Sequence, residues 1–356
     1  MKLARSRLRL GIANVGFWVL AACGGLYWLA GRGGDSLDLG VCALTAVAAV
    51  GAQAVFDFIG GWWLMPRPRP TVTVFLRRWI RGVLGHTLVL AGVGLLSYAS
   101  FIFCSGFALA VLVASVALAL RRSHFFRLIG GASISKTTRG GQTEIAAAVD
   151  DPAFTGGIVG FGRRALSLLP TSWRKSLPKS ELAVESFRRE WQIANGLHGR
   201  TFLLVLSWNL LGASVGTIAL ELAHRAPAEA LFGHACWMTL WAFAGLLVLP
   251  SLSREAVFAA DRAAADSGHD PRAWITRFPD LVGEDGSPNA AVQTIFYPVP
   301  STEMRLRQID HPSTGFVPGN LARSNLYYSW ATFTMLGRAV HCNVGRPALW
   351  VFPPSA

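Results

Sequence analysis

The sequence predicts an α-helical membrane protein of about six transmembrane spans joined to a cytoplasmic α+β domain. Three observations predict it. Mean hydropathy is +0.40 with only 15% charged residues, too apolar for a soluble chain of 356 residues. Apolar runs lie near 12–30, 41–64, 84–101, 104–120, 201–220 and 232–250, close to the about 20 helical residues that cross a hydrocarbon core. Basic residues flank alternate ends of these runs.

Lys2, Arg5, Arg7 and Arg9 precede the first run and mark its cytoplasmic end. Within it, Leu20-Ala21-Ala22-Cys23 matches a lipoprotein cleavage box. Apolar sequence continues through Trp28 and Ala30, so an uncleaved signal anchor is the expectation rather than a lipidated Cys23. The second run holds Asp57, a carboxylate at membrane depth that must face protein or water, with no partner visible. Arg67, Arg69, Arg77, Arg78 and Arg81 follow it. The stretch Thr87 to Leu120 is too long for one span, and Ser105-Gly106 splits it into a hairpin, with a single tilted helix as the alternative. Arg121, Arg122 and Arg127 close this four-span block at 1–120.

Residues 121–356 form the second unit and include the spans at 201–220 and 232–250. Ala132 to Lys136 and Thr143 to Ala146 read as strands around an Arg139-Gly140-Gly141 turn, and Asp151 to Gly160 as a Gly-rich sheet edge. Pro178 to His198 has helical spacing, as does Ser253 to Ser267, and Asn325 to Val340 is a candidate further helix. The loops at 31–40 and 221–231 carry only Arg32 and Arg225. Both termini, the 121–200 segment and the 251–356 tail are therefore expected in the cytoplasm of a bacterial-type cell membrane. The net charge of +13 tracks span ends; it fits a lipid bilayer and gives nucleic-acid binding little support. The five cysteines show no metal or disulfide spacing.

Ser253-Arg254-Glu255-Ala256-Val257-Phe258-Ala259-Ala260-Asp261 resembles the Ser-Arg-x-x-Glu-x-x-Ala-Asp pattern of membrane zinc metallopeptidases of the CAAX prenyl protease and heat-shock membrane protease type. Val257 stands where that family places its third zinc ligand, while Arg254 and Asp261 match. Phe154-Thr155-Gly156-Gly157-Ile158 resembles the family's substrate-pairing strand. Leu169-Pro170 through Glu181-Leu182 resembles the approach to its zinc helix, and Tyr297-Pro298 through Glu303 and Arg305 its closing motif. The resemblance implies a metallopeptidase-like domain.

The family's zinc helix needs His-Glu-x-x-His, one turn of helix placing two imidazoles on one metal while the Glu activates water. It is absent. The best register lays it on Arg189-Glu190-Trp191-Gln192-Ile193, keeping Glu190 as the general base if catalysis survives and losing both histidines. A second register ends on His198 and a third on His224, across the membrane. The degenerate metal positions are Arg189, Ile193 and Val257, and no metal or other cofactor is expected. Read without the resemblance, Glu190 with Arg188 and Arg189 is a solvated helix face, and Asp261 with Arg262 and Arg254 a surface ion pair.

The expected function is a non-catalytic relative that binds a polypeptide or membrane partner along the Phe154, Gly156, Gly157, Ile158 edge by strand addition. One alternative is an active zinc endopeptidase with ligands at His198, His311 or His341. Another is a transport component in which Asp57 matters.

Overall fold

The computed structural model describes residues 2–32, 37–66, 69–139, 142–286, 288–312 and 315–355. Six helices are long and apolar enough to cross a membrane. They are α1 (Lys2–Gly31), α2 (Leu39–Phe58, prolonged by a π turn at Ile59–Trp63), α3 (Val72–Cys104), α4 (Ala108–Leu128), α7 (Leu197–Leu222) and α8 (Pro227–Asp266). Side-chain caps start two of them. Asp38 accepts from Gly40 N at 3.1 Å, and Thr71 Oγ1 from Val74 N at 3.4 Å, each satisfying an orphan amide of the first turn. The break between α3 and α4 falls at Ser105, in the left-handed region at φ 50°, so the expected hairpin forms.

Between α4 and α7 lie β1 (Ser133–Arg139), β2 (Gln142–Ala148), β3 (Gly157–Val159), β4 (Leu166–Pro170), the short α5 (Trp173–Ser176) and α6 (Lys179–Ala194). The β1–β2 pairing runs antiparallel from Ser133 opposite Ala148 to Arg139 opposite Gln142. The turn residues 140 and 141 lie outside the described residues. β4 joins β2 in parallel and β3 antiparallel, giving the order β1-β2-β4-β3. The Gly-rich segment thus holds an edge strand, as expected.

Three expectations are corrected. The helix read over 178–198 is broken at Asn195-Gly196, where Gly196 takes φ 65°, so His198 belongs to the spanning helix α7. The span at 232–250 and the helix at 253–267 are one helix, α8, which continues through Pro250. The helix read over 325–340 is α12 (Leu321–Tyr328), a 3₁₀ turn at Ser329–Thr332 and α13 (Leu336–Ala339), divided by Phe333 at φ 59°. The remaining helices are α9 (Arg272–Val282), α10 (Ala290–Phe296), α11 (Thr302–Asp310) and α14 (Pro347–Val351).

The largest departure concerns the end of the chain. The sequence places 251–356 in a cytoplasmic tail, but residues 321–355 pack among the spanning helices. Thr334 Oγ1 lies 3.1 Å from Thr239 Oγ1, within the apolar stretch of α8. Leu336 and Ala339 pack with Ala242 of α8 and Val15 and Trp18 of α1. Tyr327 donates to the Leu118 carbonyl of α4 at 2.9 Å. One core therefore joins α3 and α4 to Tyr327, Trp330 and Trp350. Irregular backbone between spanning helices persists only where protein covers it, and here Trp330, Ala331 and Thr332 are almost wholly buried.

Candidate functional site

Arginine–carboxylate pairs hold this segment in place. It contains no Asp or Glu after Asp310, yet Arg323, Arg338 and Arg346 are all buried. Each finds a carboxylate from elsewhere in the chain, as a buried cation must. Arg323 Nη2 donates to Glu284 Oε1 at 3.1 Å, Arg338 Nη2 to Asp57 Oδ2 at 2.5 Å, and Arg346 Nε to Asp151 Oδ2 at 2.9 Å. Asp57 also accepts from Gln53 Nε2, Trp79 Nε1 and the Gly345 amide at 3.0, 2.9 and 2.9 Å. Its partner is thus Arg338, which sequence spacing cannot reveal. Close approach here requires glycine: a Cβ on Gly61 would lie 2.1 Å from the Gly345 carbonyl. Burial alone would raise the Glu284 carboxyl, but Arg323 and His341 hold it down at about 2. Asp151 is likewise held below the usual carboxylate value by Arg346, against the effect of burial.

A second cluster ties α6 to its surroundings. Glu185, Arg188 and Arg189 are buried, so the solvated-face reading is wrong for both arginines. Arg188 Nη1 donates to Glu185 Oε2 at 2.5 Å, and its Nε lies 2.9 Å from Asp261 Oδ1. Asp261 is buried and also accepts a bidentate pair from Arg305 at 2.7 and 2.8 Å, which replaces the expected surface pair with Arg254 and Arg262. Arg189 divides its donors among Glu185 Oε1 at 2.7 Å, the Leu168 carbonyl of β4 and the Thr155 carbonyl, both at 2.5 Å. It fastens α6 to the sheet.

The Ser253 to Asp261 pattern is explained by four attachments along α8. Ser253 Oγ accepts from the Ala322 amide at 2.9 Å, holding α12. Arg254 Nη2 caps α10 through the Gln293 and Thr294 carbonyls at 2.7 and 2.9 Å. Val257 is buried beside Leu169, Trp173 and Val184. Asp261 holds Arg188 and Arg305.

These attachments enclose a cleft. Its walls are Gly156, Gly157 and Ile158 at β3; Glu185, Arg189 and Gln192 of α6; His198 and Thr201 of α7; and Val257 of α8. Asn320, Arg323 and Ser324 at the start of α12, Arg122 of α4, and Phe352, Pro353 and Ser355 complete it. Arg189 and the β3 edge line one cavity, and Val257 lines a second that shares Ile158, Gln192 and His198 with it. Glu190 and Ile193 are half-buried and do not line the cleft. The α6 positions that do line it are 185, 189 and 192, a spacing of four and three that sequence reading missed because no motif marks it.

Two features of the cleft were not legible beforehand. Phe352 closes one side: a Cβ on Gly157 would come within 2.9 Å of its ring, and the Ser355 amide donates to Thr155 Oγ1 at 2.9 Å. Arg122 is buried with both Nε and Nη2 on the Val351 carbonyl, at 3.1 and 2.8 Å, and its guanidinium lies 4.0 Å above the Phe352 ring. No carboxylate pairs with it among the described residues.

The residues present do not fit a zinc ion. The cleft offers one imidazole, His198, whose ring stacks on Phe161 at 5.1 Å. Val257 and Ile193 have no donor atom, and Arg189 is a cation with its nitrogens engaged. His341 lies elsewhere, 3.5 Å from Glu284, and His311 follows α11. No group of three or more His, Cys, Asp or Glu side chains converges to hold a metal among the described residues. No protein-family profile, curated protein or solved structure matches this chain.

Proposed function

We propose that this chain is a multi-pass membrane protein that binds a polypeptide along the β3 edge, on a metallopeptidase-like scaffold without metallopeptidase chemistry. Both termini lie on the cytoplasmic side of a bacterial-type cell membrane in this reading, as the basic flanks favour. One observation carries it. The α6 position that would bear a metal ligand in such a peptidase is Arg189, whose guanidinium instead joins Glu185 to the Leu168 and Thr155 backbone beside the edge strand. That clamp rigidifies β3, which has no strand on its outer side among the described residues, and an unpaired strand edge recognises another backbone through main-chain hydrogen bonds. The group that approaches Gly157 is Phe352 of the same chain, and Ile158 is buried, so the partner's backbone belongs at the half-buried Val159.

The test places a photocrosslinking amino acid at Val159 in the full-length protein and irradiates native membranes, with metal content and proteolysis measured on the purified sample. Polypeptide adducts at Val159, absent from a probe at Leu44 on the lipid-facing side of α2, support the reading. Proteolysis that is lost in Glu190→Gln, together with stoichiometric zinc, overturns it.

A further inference from the structure

The cleft carries more positive charge than its own carboxylates balance. Three arginines line it, Arg122, Arg189 and Arg323, with one carboxylate, Glu185, which Arg189 shares with Arg188 behind the wall. Arg323 is balanced by Glu284 and adds nothing to the excess. Glu185 is the one carboxylate lining the cleft among the described residues, and both its oxygens are taken by Arg188 and Arg189. Arg122 has only a neutral carbonyl and aromatic faces. A buried cation without an anion is costly, and Arg122 at 9% exposure is such a cation. The cavity it lines measures about 60 Å³, room for a few waters or one carboxylate.

We infer that the cleft is an oxyanion site that takes a carboxylate of the polypeptide laid on the β3 edge, with Arg122 as its principal counter-charge. Gln192, Ser324 and His198 supply the neutral polar wall. A peptide carboxylate is favoured over a lipid phosphate because the cavity is about 60 Å³ and lies beside the β3 edge at Gly157 and Ile158. A planar carboxylate matches the guanidinium fork as a carbonyl cannot. The inference rests on the polypeptide reading for the identity of its ligand, but the charge excess stands independently of it.

The experiment uses the full-length protein in neutral detergent at constant ionic strength. The probes are an acetylated tetra-alanine with a free C-terminal carboxylate, the same peptide amidated, inorganic phosphate, and phosphatidylglycerol added to the detergent micelles. The variants are Arg122→Gln and Gln192→Glu. The second places a carboxylate inside the cleft and leaves the Arg122 contacts intact, so it remains informative if Arg122→Gln fails to fold.

The free-carboxylate peptide is expected to bind about tenfold more tightly than the amide, the difference made by one charge-assisted pair. Gln192→Glu should remove that preference and raise the melting temperature of the unliganded protein. A lower melting temperature in Gln192→Glu, with both peptides binding the parent equally, overturns the carboxylate site; such binding would leave the polypeptide reading standing. Protection by phosphate that Gln192→Glu abolishes, without binding of either peptide, supports the oxyanion site and overturns the polypeptide reading. Protection by micellar phosphatidylglycerol alone assigns the cleft to a lipid headgroup and overturns the inferred ligand.

Discussion

Replacing Arg338 with Met tests the pair that secures the interior segment to α2. Both partners are fully buried, at 0% side-chain exposure. Removing one member of such a pair leaves an uncompensated charge and costs about 3–5 kcal/mol. The two ends of this range belong to different variants. In Arg338→Met the Asp57 carboxylate keeps three neutral donors, from Gln53, Trp79 and Gly345, so the loss should sit near ~3 kcal/mol. In Asp57→Asn the guanidinium is left without an anion, with the neutral Asn oxygen, His86 Nδ1 at 3.2 Å and the Trp350 face at 4.0 Å as its partners, so the loss should approach ~5 kcal/mol. The double variant Asp57→Asn/Arg338→Met buries no charge. It should cost about 1–3 kcal/mol, the penalty of displaced hydrogen bonds alone, and be more stable than Asp57→Asn. A double-mutant cycle on unfolding in detergent reads the coupling directly. Additive losses, or an Arg338→Met variant within experimental error of the parent, would refute the reasoning.

Gly157→Val should destabilise the fold by about 1–3 kcal/mol through overpacking against Phe352, and Phe352→Leu should recover part of the loss in thermal melts. Asp261→Asn strips the shared carboxylate from Arg188 and Arg305 and should cost about 3–5 kcal/mol, read as proteolytic opening between α6 and α8; an intact, protease-resistant variant would count against that cluster. Acid should loosen the interior segment. Glu284 is brought from 4.5 to about 2 in the folded state, so the unfolded chain binds its proton first; the stabilisation is full above about pH 4.5 and is lost as pH falls toward 2. Burial also holds His341 below 6.5, so stability declines as pH drops below that value. Limited proteolysis across pH 7 to 3 should show this decline beginning near 6.5 and steepening below 4.5, and Glu284→Gln should flatten the lower part.

The spans were legible because their signal is local: runs of apolar residues and basic flanks need no tertiary information. The hairpin at Ser105 and the strands around 139–142 were legible for the same reason, each marked by turn residues. Continuity of α8 through Pro250 was not, since a proline forecasts a break unless neighbouring segments re-satisfy the freed carbonyl. The interior position of residues 321–355 was hidden by their irregular secondary structure, which lacks any period. A signal for it did exist: an acid-free stretch with three spaced arginines, in a chain that carries a lone Asp57 within a span. Opposite charges stranded in apolar segments are expected to find one another, although charge alone does not choose among pairings. At the cleft, Arg189 and Val257 drew notice only as degenerate metal positions with Ile193, which does not line it, while Arg122 and Phe352 were missed because they come from a spanning helix and from beyond α14.

The location of residues 321–355 among the spanning helices underlies the cleft wall, the three arginine pairs and the inferred ligand. Thr239 and Thr334 report on it most directly, their hydroxyl oxygens lying 3.1 Å apart across α8 and the interior segment. Both should be replaced by Cys in a background with the native cysteines changed to Ala, and the protein oxidised in native membranes. A protease site engineered at 286–288 then separates the two halves. A disulfide that keeps both fragments together until reduction is the predicted result. Fragments that separate without reductant, while each single cysteine is freely labelled by a water-soluble maleimide, would place the segment outside the helix bundle and contradict the account.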